Sequence, residues 1–163
     1  MIKNIKIIIF DWGDTLMRDY NDSGPMAHWK NVDIIPGVRE VLRELGKNYT
    51  LCVASNAGES DSGLMKSALK RVGIDNFFSY FFTSKDLGFE KPDIRFFKAI
   101  LKSTNFSANE CLMVGNDYNN DIVNSKSLGM STLLFDENNL FSDTLSADYK
   151  INKIIQILDI LKP

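Results

Sequence analysis

A chain of 163 residues, 44% hydrophobic and 25% charged, has the size and composition of a soluble globular domain with room for a core. Its net charge of −2, from 19 basic and 21 acidic residues, leaves no broad basic surface for nucleic acid, and no segment approaches the ~20 apolar residues of a membrane span. Cys52 and Cys111 each lie inside an apolar run and read as reduced core residues; with no signal-peptide pattern, the cytoplasm is the expected compartment.

The first element is the run Ile7 to Phe10, β-branched and without polar alternation, which reads as a strand buried on both faces. It ends abruptly in Asp11, placing a carboxylate at the carboxyl end of a central strand, the rim where open α/β sheets bind ligands. Residues 17–36 follow with Gly24-Pro25 and Pro36-Gly37 as turn punctuation and no clear periodicity, a flap-like loop long enough to be functional or mobile. Val38 to Leu45 carries apolar residues at 38, 41, 42 and 45, the stripe of an amphipathic helix, with Gly46 as its stop.

Tyr49 to Ala54 reads as a second strand, ending in Ser55-Asn56, and Leu64 to Val72 as a second helix capped by Gly73. The aromatic run from Phe77 to Thr83 predicts a third strand and core packing rather than a ligand box. Pro92 opens a helix reaching about Lys102; Glu110 to Val114 is a fourth strand leading into Gly115-Asn116-Asp117. A short helix over about 120–128, a fifth strand from Ser131 to Phe135, a loop from Asp136 to Ala147 and an amphipathic helix from Ile151 to Leu161 complete the chain. Strand and helix alternate about five times, so the expected fold is a three-layer, Rossmann-like α/β domain over residues 1–163, its parallel sheet flanked by helices on both faces.

Parallel strands present their carboxyl ends on one rim. Asp11, Ser55-Asn56 and Asn116-Asp117, with Asp121 one turn on, therefore converge on one crevice, to which Lys91 adds a cation. Hard carboxylate oxygens without His or Cys suit Mg²⁺. A metal, a lysine and a hydroxyl beside a carboxylate are what phosphoryl transfer needs. Bland readings go to the lone His28, a surface or packing residue, and to Trp12, which alternation points away from the Asp11 side.

Four strings taken together, FDWGDTL, VASNAG, GFEKPD and GNDYNND, resemble the haloacid dehalogenase-like (HAD) superfamily of hydrolases, mostly Mg²⁺-dependent phosphatases working through an aspartyl-phosphate. The resemblance implies Asp11 as nucleophile and Ser55 as phosphate-binding hydroxyl, with Asn56 beside it. It implies Lys91 as the cation steadying nucleophile and phosphoryl group, and Asp11, the Gly13 carbonyl, Asp117 and Asp121 as Mg²⁺ ligands.

Two positions depart from that pattern. Gly13 stands where the family usually has the acid/base aspartate, a loss set against the ~10²–10⁴-fold that such catalysis contributes. Asp14 is one place too far along and reads as a turn cap. In the fourth string, Asn116 stands in the first acidic slot of the common form and offers a carbonyl oxygen without charge, whereas a variant form uses Asp117 with Asp121. The second pair is the expected one, with one of the two acids reaching the metal through water or holding Lys91. No cap domain fits in the 44 positions from Asp11 to Ser55 or the 36 from Ser55 to Lys91. The expected protein is thus a capless, Mg²⁺-dependent phosphatase of modest rate, acting on a phosphorylated small molecule or a larger phosphorylated substrate. The alternative is a phosphate- and Mg²⁺-binding module that has lost catalysis; halide displacement needs no metal and leaves the acidic cluster unexplained. Neither the substrate nor the oligomeric state is legible.

Overall fold

The computed structural model describes residue 2 and residues 4–161. Its strands are β1 (Ile7–Phe10), β2 (Thr50–Ser55), β3 (Tyr80–Thr83), β4 (Cys111–Gly115), β5 (Ser131–Phe135) and β6 (Tyr149–Ile151). The helices are α1 (Val38–Leu45), α2 (Ser62–Arg71), α3 (Ser84–Leu87), α4 (Ile94–Thr104), α5 (Asn124–Ser127) and α6 (Ile157–Ile160). All strand pairs are parallel, in the order β3-β2-β1-β4-β5-β6.

The run Ile7–Phe10 is fully buried because each face of β1 meets its own layer. Ile8 and Phe10 join Leu51, Val53, Leu112 and Val114 under α1 and α2, while Ile7 and Ile9 join Cys52, Ala54, Cys111 and Met113 under Phe96, Phe97 and Ile100 of α4. Both cysteines are free and buried, and burial pushes the Cys111 thiol up to about 12. The chain builds outward from β1 through β2 to β3, then crosses back to lay β4 on the other side of β1. The reversal opens a crevice at the carboxyl end of β1, as a topological switch point does.

Several elements differ from the sequence reading: the third strand, expected from Phe77, begins at Tyr80 after a 3₁₀ turn at Asp75–Phe77, and the single turn of α3 follows it unforeseen. The sheet has six strands, not about five: Tyr149–Ile151 pairs with β5, and Ile151 seats its side chain in the core as a strand residue rather than opening a helix. A three-residue strand is too short to show periodicity. The closing helix accordingly shrinks to a 3₁₀ turn at Ile154–Gln156 and the single turn of α6. The helix expected over 120–128 starts as a π-helix at Tyr118–Val123 before α5.

The loop at 17–36 is packed down. Met17, Met26, Trp29 and Ile35 are buried, and the Arg71 guanidinium at the end of α2 donates to the carbonyls of Ala27 (3.1 Å) and Trp29 (2.6 Å). Between Asp11 and Ser55 the chain forms only this loop with its 3₁₀ turn, α1 and β2. Between Ser55 and Lys91 it forms only α2, a short turn, β3 and α3, so no further folded unit is inserted in either stretch.

Candidate active site

Asp11 follows β1 directly; its amide donates to Val114 O of β4 at 2.9 Å, which holds the first residue beyond the strand in sheet register. Its two carboxylate oxygens face different partners. Oδ1 accepts from Lys91 Nζ at 2.8 Å, while Oδ2 lies 3.3 Å from the Thr15 hydroxyl. Lys91 is 4% exposed, and its ammonium also donates to Asp121 Oδ1 at 2.6 Å and to Ala54 O at 3.2 Å. Burial alone would lower the Lys91 pKa, but the two carboxylates more than offset it and the ammonium is held above its ordinary value. Two carboxylates sharing one ammonium leave one negative charge over. Asp121, 1% exposed and facing Asp11, is pushed up by burial and by that neighbouring charge, with Lys91 pulling the other way.

Local structure explains how each group is set. Asn56, just past β2, forms a reciprocal pair with the Lys91 backbone: Nδ2 donates to Lys91 O at 2.7 Å and Oδ1 accepts from Lys91 N at 2.6 Å. The Asn56 side chain is thereby committed to placing Lys91, leaving only its backbone toward a phosphate. Ser55 ends β2 beside Asp11 and is 8% exposed. Gly115 ends β4 because Asp121 folds back over it: a Cβ there would lie 2.1 Å from Asp121 Oδ2. Asp121 Oδ2 also accepts from Asp117 N at 3.0 Å, which closes the turn on itself.

In the acidic turn, Asn116 and Asp117 turn their side chains to different partners. Asp117 points its carboxylate into the helix start, accepting from Asn119 N and Asn120 N and, through Oδ2, from Asn120 Nδ2. Asn116 instead faces the nucleophile: its side-chain amide lies 3.1 Å from Asp11 Oδ2 and 3.2 Å from both Gly13 O and Thr15 Oγ1, and donates to them with its nitrogen inward. Asp14 takes a left-handed conformation (φ 55°) and caps the turn by accepting from Asp19 N at 3.0 Å.

All nine residues singled out from the sequence line one cleft of about 260 Å³, namely Asp11, Gly13, Asp14, Ser55, Asn56, Lys91, Asn116, Asp117 and Asp121. Two more join them, Asp19 and Asn120. Sequence reading missed Asp19 because it lies in the aperiodic loop, with nothing in its spacing to relate it to Gly13. Trp12 is buried and His28 is exposed on the loop; neither lines the cleft.

Among the described residues, no group of three or more His, Cys, Asp or Glu is arranged to hold a metal ion. The oxygens that do converge are Asp11 Oδ2 and the Gly13 carbonyl, bridged by the Asn116 amide nitrogen at 3.1 and 3.2 Å, so a turn of that amide would add Asn116 Oδ1 to them. One carboxylate with neutral carbonyl oxygens is a donor set that fits Mg²⁺, which takes few protein ligands and keeps its waters.

Parallel strands that deliver an aspartate, a serine and an acidic turn to one rim define a Rossmann-like hydrolase core. The chain belongs to the haloacid dehalogenase-like hydrolase family, whose profile matches residues 5–135. It is 39% identical over 100 residues to a glyceraldehyde 3-phosphate phosphatase of Methanothermobacter thermautotrophicus, spanning 61% of this chain and 43% of that one. It is 28% identical over 123 residues to a ribulose-1,5-bisphosphate 5-phosphatase of Halopiger xanaduensis, spanning 75% and 50%. The chain thus spans half or less of these relatives. Its fold superposes with a TM-score of 0.82 on a magnesium-bound protein of HAD-hydrolase type from Bacillus subtilis, at 17% identity over 99% of this chain and 100% of that one.

Proposed function

We propose that this chain is a Mg²⁺-dependent phosphatase that hydrolyses a phosphate monoester of a small molecule through an aspartyl-phosphate on Asp11. The observation that carries the reading is the division of labour on the Asp11 carboxylate. One oxygen is held by a buried ammonium that also meets Asp121, while the other meets the Thr15 hydroxyl and the Asn116 amide that also reaches the Gly13 carbonyl. A carboxylate so oriented is a positioned nucleophile. Lys91 is placed to neutralise an incoming phosphoryl oxygen, Ser55 to hydrogen-bond another, and Asn56 to keep Lys91 in place.

The cleft is lined by five aspartates and one lysine, an electrostatic setting that repels a phosphate dianion until a cation is bound. Bound Mg²⁺ would neutralise that charge and orient the phosphoryl group. Asp11, the Gly13 carbonyl and Asn116, its amide turned to present Oδ1, are the residues we assign to hold it. Asp121, named from the sequence as a ligand, serves the site through Lys91, and Asp117 by shaping the turn. Named activities of the relatives, on triose and ribulose phosphates, support a small phosphorylated substrate.

The test is turnover of nitrophenyl phosphate by the purified chain with and without Mg²⁺. We expect Mg²⁺-dependent hydrolysis that falls to background in Asp11→Asn; equal rates in the two proteins would overturn the reading. Gly13, without a carboxylate, and Asn116, without a charge, favour a second reading as a binding module. That reading predicts phosphate binding with Mg²⁺ but no beryllium fluoride adduct on Asp11.

A further inference from the structure

We propose that Asp19 is the general acid and base of this site, reaching back over Gly13 to fill the place of the side chain that position lacks. The inference rests on the phosphatase reading above.

Gly13 has no left-handed backbone, so its conformation does not demand a glycine. What occupies the space where its side chain would project is a carboxyl group. A Cβ built on Gly13 would lie 3.3 Å from both Cβ and Oδ2 of Asp19 and 3.7 Å from its Cγ. Residue 19 is brought there by the turn after β1, where left-handed Asp14 accepts from Asp19 N at 3.0 Å and doubles the chain back. The Asp19 carboxyl is itself oriented, since Asn21 N donates to Oδ1 at 2.8 Å while Oδ2 is the oxygen beside Gly13.

Its place between two cavities fits the role. Asp19 lines the cleft with Asp11 and Lys91, and also a neighbouring hollow of about 290 Å³ walled by Trp12, Met26 and Trp29. A substrate with its phosphoryl group at Asp11 and its organic part in the hollow would set the bridging oxygen beside Asp19. Asp14 also reaches the cleft, but its second cavity lies on the other side, with Arg18 and Glu137.

The chemistry balances without a further reactant. Asp11 attacks phosphorus, the bond from phosphorus to the ester oxygen breaks, and Asp19 gives its proton to that oxygen, releasing an alcohol. Asp19, now a carboxylate, takes a proton from water as the water oxygen attacks the aspartyl-phosphate. The bond to Asp11 breaks, inorganic phosphate leaves, and both side chains return to their starting states.

Pre-steady-state kinetics of Asp19→Asn on two substrates tests this. Nitrophenolate leaves without a proton, whereas an alkoxide does not. For nitrophenyl phosphate we expect a retained burst of one nitrophenolate per active site, followed by steady turnover slowed ~10²-fold or more as phosphorylated protein accumulates. For an alkyl phosphate the burst itself should be lost. Gly13→Asp added to Asp19→Gly, which removes the crowding Cβ together with the carboxyl, should restore turnover of both. Unchanged kinetics in Asp19→Asn would overturn the proposal. So would a burst reduced alike for both substrates, the signature of a merely structural residue, or the predicted pattern appearing in Asp14→Asn instead. A wild-type chain without Asp11-dependent turnover would overturn the phosphatase reading, and this one with it; an active wild type with an indifferent Asp19→Asn overturns this one alone.

Discussion

At the scale of single residues, the site depends on one glycine whose role is steric. Asp121 cannot retreat from a side chain at Gly115, because Lys91 holds one of its oxygens and Asp117 N the other. Gly115→Ala, with its Cβ 2.1 Å from Asp121 Oδ2, must therefore break the Lys91–Asp121 pair or move β4. We expect a loss of ~1–3 kcal/mol in denaturant unfolding from overpacking, with turnover falling as Lys91 loses a partner. Gly63→Ala is the matched control. It lies in the first turn of α2, where a Cβ would meet only Asp61 Oδ1 at an ordinary 3.4 Å, and alanine there should be neutral or stabilising by up to ~1 kcal/mol.

At the scale of elements, the short strand β6 is held by carboxylates rather than by length. Asp148 accepts from Thr132 N at 2.9 Å and Thr132 Oγ1 at 3.2 Å and pairs with Lys126; Asp136 accepts from Leu140 N and Phe141 N and pairs with Lys150. Burial by itself pushes both acids up, but these donors win and hold both below the ordinary value of 3.8. A depressed acid binds fewer protons folded than unfolded. Its support is therefore complete above about pH 4 and lost as pH falls through the depressed value. Amide exchange in β6, corrected for intrinsic rates, should accelerate below about pH 4 before exchange in β1 and β2 does. Asp148→Asn should flatten that acid dependence while raising exchange in β6 at neutral pH.

At the scale of the whole molecule, the loop at 17–36 is tied to the end of α2 by one cation. Arg71 at the end of α2 donates to Ala27 O and Trp29 O, and to Lys30 O at 3.4 Å, so the wall of the hollow beside the cleft is set from another element. Arg71→Ala removes these donors together. We expect faster limited proteolysis within 17–36, a stability loss of ~1–3 kcal/mol, and a rise in KM larger than any fall in kcat. Cleavage of the variant at the wild-type rate would count against the clamp.

Local pattern determined much of this protein. The apolar run Ile7–Phe10, the stripe of α1 and the strand-helix alternation are periodicities that burial on two faces or one imposes directly on sequence, so the parallel sheet and the convergence of Asp11, Ser55, Lys91 and Asp121 were legible from them. What tertiary structure decided was which of several equivalent side chains faces the nucleophile. Asn116 and Asp117 are adjacent and each offers a side-chain oxygen; the π-helix start takes the Asp117 carboxylate as its cap, and Asn116 is the one that faces Asp11. Likewise β6 is too short to show a period, and Asp19 meets Gly13 only because a left-handed turn at Asp14 doubles the chain back. Periodicity encodes which face is buried, whereas side-chain direction within a turn is set by hydrogen bonds that only the folded backbone brings into reach.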